Sequence, residues 1–231
     1  MKNLIAIGGG YWDPPFNLKI ERYVLAQTGK PNPSVCFLPN ASNDPASATL
    51  RAYIVFAQLP CRMSHLNLMA PPTADLESYL LEKDVIFVGG GNTKSMLALW
   101  REWGLDVILR KAWEKGVVLS GVSAGQICWF EQGLTDSIPG PVTALKCLGY
   151  LPNSCTSHYN SEPDRRPRFH QRIGSGEMMA GYATDDGAAL HFVDRTLLRT
   201  ITSVPTARAF WVEKTNGTVT EKPLELKYLE S

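Results

Sequence analysis

The sequence lacks a net charge of either sign, since 23 Lys and Arg residues stand against 22 Asp and Glu residues and leave a formal charge of +1. A balanced chain has no general attraction for nucleic acid or for an anionic membrane surface, so neither is expected as a partner. Long hydrophobic runs are also missing, and the apolar segment at residues 4–7 is too short for a signal-peptide core. We therefore expect a cytoplasmic protein that binds its ligand through particular residues of one site and not through its overall charge.

Cysteine is scarce and follows no pattern. The five cysteines are odd in number and widely spaced, and no Cys-x-x-Cys pair occurs. This excludes the disulfide framework of a small secreted domain and the usual zinc motifs, so we expect buried thiols in a reducing compartment and neither a metal nor another cofactor.

Short apolar runs alternate with amphipathic stretches through the first half of the chain. Continuous apolar runs are typical of strands that a parallel sheet buries on both faces. Five strands are predicted, at residues 4–7, 35–38, 64–68, 84–88 and 117–120. Right-handed crossovers then give a doubly wound, mostly parallel α/β sheet that binds ligands at the carboxyl ends of its strands. From residue 181 onward, short β-rich runs predict an antiparallel extension of the same sheet, within one domain spanning residues 1–231.

The fifth strand runs into Gly121-Val122-Ser123-Ala124-Gly125, which matches the G-x-S-x-G pattern of a nucleophile elbow. On such a turn the small neighbours let strand and helix approach, while the serine oxygen projects into the cleft. The amide of Ala124 would face an oxyanion formed on the attacked carbonyl. Ser123 is therefore the predicted nucleophile, and serine in place of cysteine argues against a thiol amidotransferase.

A second glycine turn, Gly89-Gly90-Gly91-Asn92-Thr93, follows the fourth strand. It is not a phosphate loop, because Thr93 stands where that motif has a glycine before the lysine. Three glycines after a buried strand can bring a backbone amide close to a bound carbonyl and complete an oxyanion hole with Ala124. The alternative is a tight turn in which Asn92 or Thr93 caps the next helix.

One of the four histidines should take the proton of the serine. His65 and His191 lie within predicted strands, and His170 lies in a basic segment. His158 opens a loop after a strand-like stretch, a position from which a side chain can enter a cleft at the sheet edge, so it is favoured.

The base needs a carboxylate to fix its tautomer. Asp186, in the turn Asp185-Asp186-Gly187, and Asp136 are both candidates, and their spacing does not choose between them. For either one, a solvated turn is the commoner role of such an aspartate.

The two glycine turns, together with the Phe87-Val88 pair before the first of them, resemble the peptidase E family, which includes aspartyl dipeptidase and the cyanophycinases. The resemblance extends from the first strand to about Leu190 and implies a fold like that of class I glutamine amidotransferases. The residues that fall on the family's functional positions are Ser123 as nucleophile, His158 as base, Asp186 as its orienting acid, and Gly91 and Ala124 as oxyanion donors. Asp186 is a departure, because the dipeptidase has Glu there, and the shorter side chain requires the turn to lie closer to His158.

The same resemblance covers the segment Arg165-Arg166-Pro167-Arg168, which lies where the dipeptidase has an arginine-bearing stretch. A guanidinium here would pair with a substrate carboxylate, although a solvated loop is the alternative. Asn92 is also expected to contact the substrate.

The function implied is a serine peptidase, monomeric or homodimeric, that cleaves small peptides as a dipeptidase favouring acidic residues. An esterase or amidase using the same residues, or a non-catalytic binding or regulatory module, are the alternatives.

Overall fold

The computed structural model describes residues 1–10 and 12–230 of the chain. Its helices are α1 (Lys19–Ala26), α2 (Pro45–Phe56), α3 (Leu76–Leu81), α4 (Thr93–Glu102), α5 (Leu105–Glu114), α6 (Ala124–Ile127) and α7 (Arg165–Ser175). Its strands are β1 (Asn3–Ile7), β2 (Ser34–Leu38), β3 (Arg62–His65), β4 (Val85–Val88), β5 (Val118–Val122), β6 (Phe130–Thr135), β7 (Thr143–Lys146), β8 (Leu151–Thr156), β9 (Gly181–Thr184), β10 (Ala188–Val193), β11 (Thr196–Thr202), β12 (Ala209–Thr215), β13 (Thr218–Pro223) and β14 (Leu226–Tyr228).

Eight strands form the first sheet, in the order β3-β2-β4-β5-β1-β10-β11-β14. The five from β3 to β1 are parallel neighbours, and the apolar runs of β1, β2 and β4 are buried, as expected of strands covered by helices on both faces. β10 then pairs antiparallel with β1, and β11 pairs antiparallel with β10. The predicted α/β architecture, a mostly parallel sheet with an antiparallel extension, is confirmed.

Six further strands form a second sheet, in the order β7-β6-β8-β9-β12-β13. This corrects one expectation: the β-rich runs from residue 181 onward are predicted to extend the first sheet, whereas β12, one of these runs, pairs with β9 in the second. An alternating pattern predicts that a strand pairs but not which edge it joins, since the partner is remote in sequence. The chain crosses from the second sheet to the first in the short turn between β9 and β10.

Helix α7 was not predicted from the sequence. The segment's polar composition indicated a loop, yet Phe169 and Ile173, one helical turn apart, are buried against the second sheet. Pro167 is compatible with this helix because it lies in the first turn, where backbone amides have no intrahelical acceptor. Because the apolar face of this helix is narrow and the segment contains five basic residues, the sequence shows no clear helical period.

Helices bury both faces of the first sheet. One cluster contains Trp100, Trp113 and Trp129, and the opposite one contains Phe37 and Phe56. All five cysteines are free thiols and four are buried. Within residues 1–10 and 12–230, no helix has the length and apolar character needed to cross a membrane.

His191 lies in β10 and is buried between two polar side chains. Its Nδ1 is 2.7 Å from the hydroxyl of Tyr23, and its Nε2 is 3.0 Å from Oδ1 of Asn3. With that amide oxygen as acceptor, Nε2 carries the hydrogen and the tyrosine donates to Nδ1. Burial, assisted by the charge of Arg199, lowers the pKa of His191 to about 4.

The lowered pKa of His191 predicts that the stability of the fold depends on pH. Since the folded-state pKa lies below the ordinary value of 6.5, the unfolded chain binds the proton first, and stability falls as the pH decreases from about 6.5 to about 4. His191→Gln keeps one donor and one acceptor but does not titrate. Over this pH interval, the free energy of unfolding of the variant should therefore fall less than that of the wild type, and the difference between the two falls should be at most about 3 kcal/mol. Urea unfolding at several pH values measures the difference. His65→Gln, at an exposed histidine, should follow the wild-type curve, and parallel curves for wild type and His191→Gln would contradict the prediction.

Candidate active site

Ser123 occupies the sharp turn between β5 and α6. Its backbone has φ 58° and ψ −110°, a conformation that is strained for any residue with a side chain. The turn exists because Gly121 and Gly125 pack directly on backbone: a Cβ at Gly121 would overlap the carbonyl oxygen of Gly125, and a Cβ at Gly125 would overlap that of Val88. The amide of Ser123 donates to the carbonyl of Ile7 at 3.1 Å, which ties the turn to the end of β1.

His158 and Asp186 reach this serine from the second sheet. β8 and β9 are parallel neighbours, so the residues that follow them emerge at the same edge. The Nε2 atom of His158 is 2.9 Å from Oγ of Ser123, and its Nδ1 atom is 2.7 Å from Oδ1 of Asp186. The three side chains thus form a hydrogen-bonded chain that joins the two sheets.

The environment of Asp186 favours its charged form. Burial acts to raise its pKa, but hydrogen bonds from His158 and Ser161 and the charge of His158 outweigh it, so the pKa lies below its ordinary value. Its backbone amide donates to Oδ1 of Asn160 at 3.0 Å, which fixes the turn. An ionised carboxylate accepts the hydrogen on Nδ1 of His158, and Nε2 is then free to accept from Ser123.

Asp136, the other candidate for the orienting acid, lies elsewhere. Its side chain is 62 % exposed, and its Oδ1 is 3.5 Å from Nη2 of Arg165. Asp186, and not Asp136, contacts His158 in this structure.

Gly9 is a component of the site that sequence reasoning missed. A Cβ on Gly9 would overlap Oδ1 of Asp186 and would lie 3.1 Å from Nδ1 of His158. Its carbonyl also accepts from the amide of Gly187 at 3.0 Å. The glycine run Gly8-Gly9-Gly10 follows β1, and its place at the end of a strand beside β5 was the signal that could have revealed it.

The two predicted oxyanion amides flank Ser123. Gly90 lies directly against the serine, since a Cβ there would be 3.3 Å from the serine Cβ and 3.7 Å from its Oγ. Gly91 has φ 132°, a conformation that excludes other residues. In the described part of the chain, neither Gly91 nor Ala124 donates its amide hydrogen to another residue.

A cavity of about 210 Å³ opens beside Ser123; we call it the Arg165 pocket. Its lining residues are Gly91, Asn92, Ser123, Asp136, Ser137, Glu162 and Arg165. Arg165 is almost fully buried, donating from Nε to Glu162 at 2.6 Å and from Nη1 to the carbonyl of Leu134 at 2.8 Å. Its third partner is Asp136, so the guanidinium is already opposed by two carboxylates.

The other predicted substrate contacts lie differently. Arg166 pairs with Glu221 at 2.6 Å, and Arg168 donates to Gln171 at 3.0 Å; neither lines the Arg165 pocket. Asn92 caps α4 by accepting from the amide of Ser95, and its Nδ2 donates to the carbonyl of Ser137. Its side chain is therefore occupied in holding the pocket wall, which is the capping alternative recognised in the sequence.

The model of peptidase family S51 matches residues 4–200 of the chain. A curated relative, the uncharacterized peptidase YgaJ of Bacillus subtilis (strain 168), is 50 % identical over 230 residues and covers 99 % of this chain and 100 % of its own length. The chain belongs to peptidase family S51. The S51 peptidase is accordingly a serine peptidase, a hydrolase, and the predicted resemblance to the peptidase E family is confirmed.

Solved structures share the fold of the S51 peptidase at low sequence identity. A peptidase from an acI-B1 Actinobacterium superposes with a TM-score of 0.71 at 14 % identity, covering 98 % of this chain and 95 % of the other. A putative peptidase E protein from Listeria monocytogenes EGD-e superposes with a TM-score of 0.59 at 18 % identity, covering 97 % of this chain and 100 % of the other. These similarities concern the fold alone.

The crowding at Gly9 generates a prediction with a matched control. Gly9→Ala should displace Asp186 from His158 and slow labelling of the S51 peptidase by a fluorophosphonate by about 100-fold, since small misplacements of reacting groups have effects of this order. Gly10→Ala should react almost as fast as wild type, because the nearest atoms to its added methyl lie 3.6 Å away. Labelling rates are compared after circular dichroism shows that both variants are folded. A folded Gly9→Ala protein with the wild-type rate would refute the prediction.

Proposed function

We propose that the S51 peptidase hydrolyses small peptides through an acyl-enzyme formed on Ser123, with His158 as general base and Asp186 as its orienting acid. The observation that carries the proposal is the continuous hydrogen-bonded chain from Ser123 Oγ through both nitrogens of His158 to Asp186. Within the family, the turn that carries Ser123 then serves as a nucleophile elbow, because its strained backbone presents Oγ to the histidine.

The chemistry follows from the positions of the protons. Asp186 holds the hydrogen on Nδ1 of His158, so Nε2 accepts the Ser123 proton as Oγ attacks the peptide carbonyl. The negative charge that forms on the carbonyl oxygen is stabilised by the amides of Gly91 and Ala124. His158 then donates the proton to the leaving amine, and water activated by the same nitrogen hydrolyses the acyl-enzyme.

A preference for an acidic residue would depend on Arg165 alone among the three arginines, because only its guanidinium lines a cavity at Ser123. Glu162 is a close partner that keeps Arg165 in place, whereas Asp136 is exposed and 3.5 Å away. A substrate carboxylate would therefore take the place of Asp136. Asp136 and Glu162 carry two negative charges against the single positive charge of Arg165. We therefore propose that the preference for an acidic residue is modest, because Asp136 repels the substrate carboxylate.

The orienting role of Asp186 is tested against Asp136 with the same substitution. Asp186→Asn should lower kcat for a susceptible peptide by about 10³- to 10⁴-fold, because the amide cannot hold the required tautomer of His158. Asp136→Asn should change kcat by less than about tenfold, since its carboxylate contacts Arg165. Steady-state kinetics on folded variants decide between them. The reverse ranking would exclude Asp186 as the orienting acid.

The acidic preference is tested by pairs of peptides that differ only by Asp or Asn beside the scissile bond. Asp136→Asn removes the competing carboxylate, so the ratio of kcat/KM for the Asp peptide to that for the Asn peptide should rise about two- to fivefold, the range of an exposed ion pair. Arg168→Gln, a change outside the Arg165 pocket, should leave the ratio at the wild-type value. A ratio that does not respond to Asp136→Asn would argue against recognition through Arg165.

A further inference from the structure

A second cavity adjoins the Ser123 turn and has a different lining; we call it the Trp12 pocket. Its volume is about 310 Å³, and Trp12, Phe37 and Ala48 contribute its apolar surface. Gly89, Gly90 and Val122 form the wall toward Ser123, whereas Gly91 and Asn92 of the same turn line the Arg165 pocket. The two cavities thus border different parts of one glycine turn, and Gly90 of this turn lies against Ser123.

Trp12 is held in a fixed orientation. Its Nε1 donates to Oε1 of Glu21 at 2.7 Å. Its ring packs on Phe37, Phe56 and Phe87, with centroid separations of 6.0, 6.0 and 5.5 Å. The indole is only half-buried, so part of its surface faces the cavity.

Glu21 is an unusual residue to find beneath this indole. It is 4 % exposed, and its Oε2 has no hydrogen-bond partner among the described residues. Burial raises the pKa of its carboxyl group, against the hydrogen bond from Trp12. A position that needed only packing would be served better by an apolar side chain, since burying a carboxyl group is costly. Glu21 contributes Oε1, the acceptor for the indole hydrogen, and this bond fixes the plane of Trp12.

The two charged residues that line the Trp12 pocket each have a partner of their own. Arg51 lies 2.9 Å from Asp13, and the carboxylate of Asp44 caps α2 by accepting from the amide of Ser47. Ser42, Asn43 and Ser47 also line the pocket, and the rings of Trp12 and Phe37 provide its surface for apolar contact. The volume is at the lower end of the range for small-molecule sites, which fits one large side chain and not several residues.

We propose that the Trp12 pocket is a specificity subsite that accepts one bulky apolar side chain, of leucine or phenylalanine size, from a residue flanking the scissile bond. This inference rests on the proposed function, because the pocket is assigned to a substrate whose carbonyl is attacked by Ser123. Trp12 supplies the contact surface, and Glu21 acts as a positioning residue that holds it. The Arg165 pocket then receives the residue on the other side of the bond.

The test is a set of short peptides in which the residue on either side of the scissile bond is Ala, Leu or Phe, assayed in competition by mass spectrometry. At one of the two positions, the wild-type kcat/KM for Phe or Leu should exceed that for Ala by about tenfold or more, the usual effect of filling an apolar subsite. Trp12→Ala, which enlarges the pocket, and Ala48→Phe, which fills it, should each reduce this ratio to about threefold or less. Trp103→Ala, at an exposed tryptophan outside both pockets, should retain the full ratio.

The role of Glu21 has its own pair of variants. Glu21→Gln keeps an acceptor for the indole and should retain the ratio, whereas Glu21→Leu should lose it. A wild-type enzyme with no apolar preference at either position, or a preference that survives both Trp12→Ala and Ala48→Phe, would overturn the proposal. Failure of a fluorophosphonate to label Ser123 would instead overturn the proposed function, so the two failures are distinguishable.

Discussion

The structure depends on the close packing of backbone around Ser123. Gly121 and Gly125 let β5 and α6 meet against the carbonyl of Val88 without an intervening side chain. The serine is thereby held with a positive φ, a conformation that costs about 1–3 kcal/mol and persists only where surrounding contacts enforce it. The amide of Ser123 contributes one such contact through Ile7. The oxygen of Ser123 thus points toward His158 because Gly121 and Gly125 carry no side chains.

The second requirement is that two sheets meet at this turn. Ser123 belongs to the first sheet, while His158 and Asp186 follow neighbouring parallel strands of the second. The turn that contains Asp186 also carries the chain into β10, next to β1, which brings Gly9 under the carboxylate. A single hydrogen-bonded chain therefore depends on the relative position of both sheets, and a small shift at their junction would break it.

What the sequence could predict follows from the range of the interactions. The parallel strands and the turn of Ser123 are specified by local apolar runs and glycines, and these predictions agree with the structure. The preference for His158 came from its place in a loop, and the assignment of Asp186 over Asp136 came from the family resemblance, because no local pattern records a contact between residues 28 positions apart.

The second sheet and the pockets could not be predicted from local sequence patterns, because they too depend on contacts between residues remote in sequence. Strand β12 finds its partner through a long-range pairing, and helix α7 has a narrow apolar face within a basic segment. Arg165 was one of three arginines expected to pair with a substrate carboxylate; its burial and its two carboxylate partners depend on the tertiary structure. The measurement that most directly tests the account is the mass of the intact protein after fluorophosphonate treatment, with the adduct located by peptide mapping. The account predicts one adduct per chain, on Ser123, with peptidase activity lost in proportion; full activity in the labelled protein, or an adduct on another residue, would contradict it.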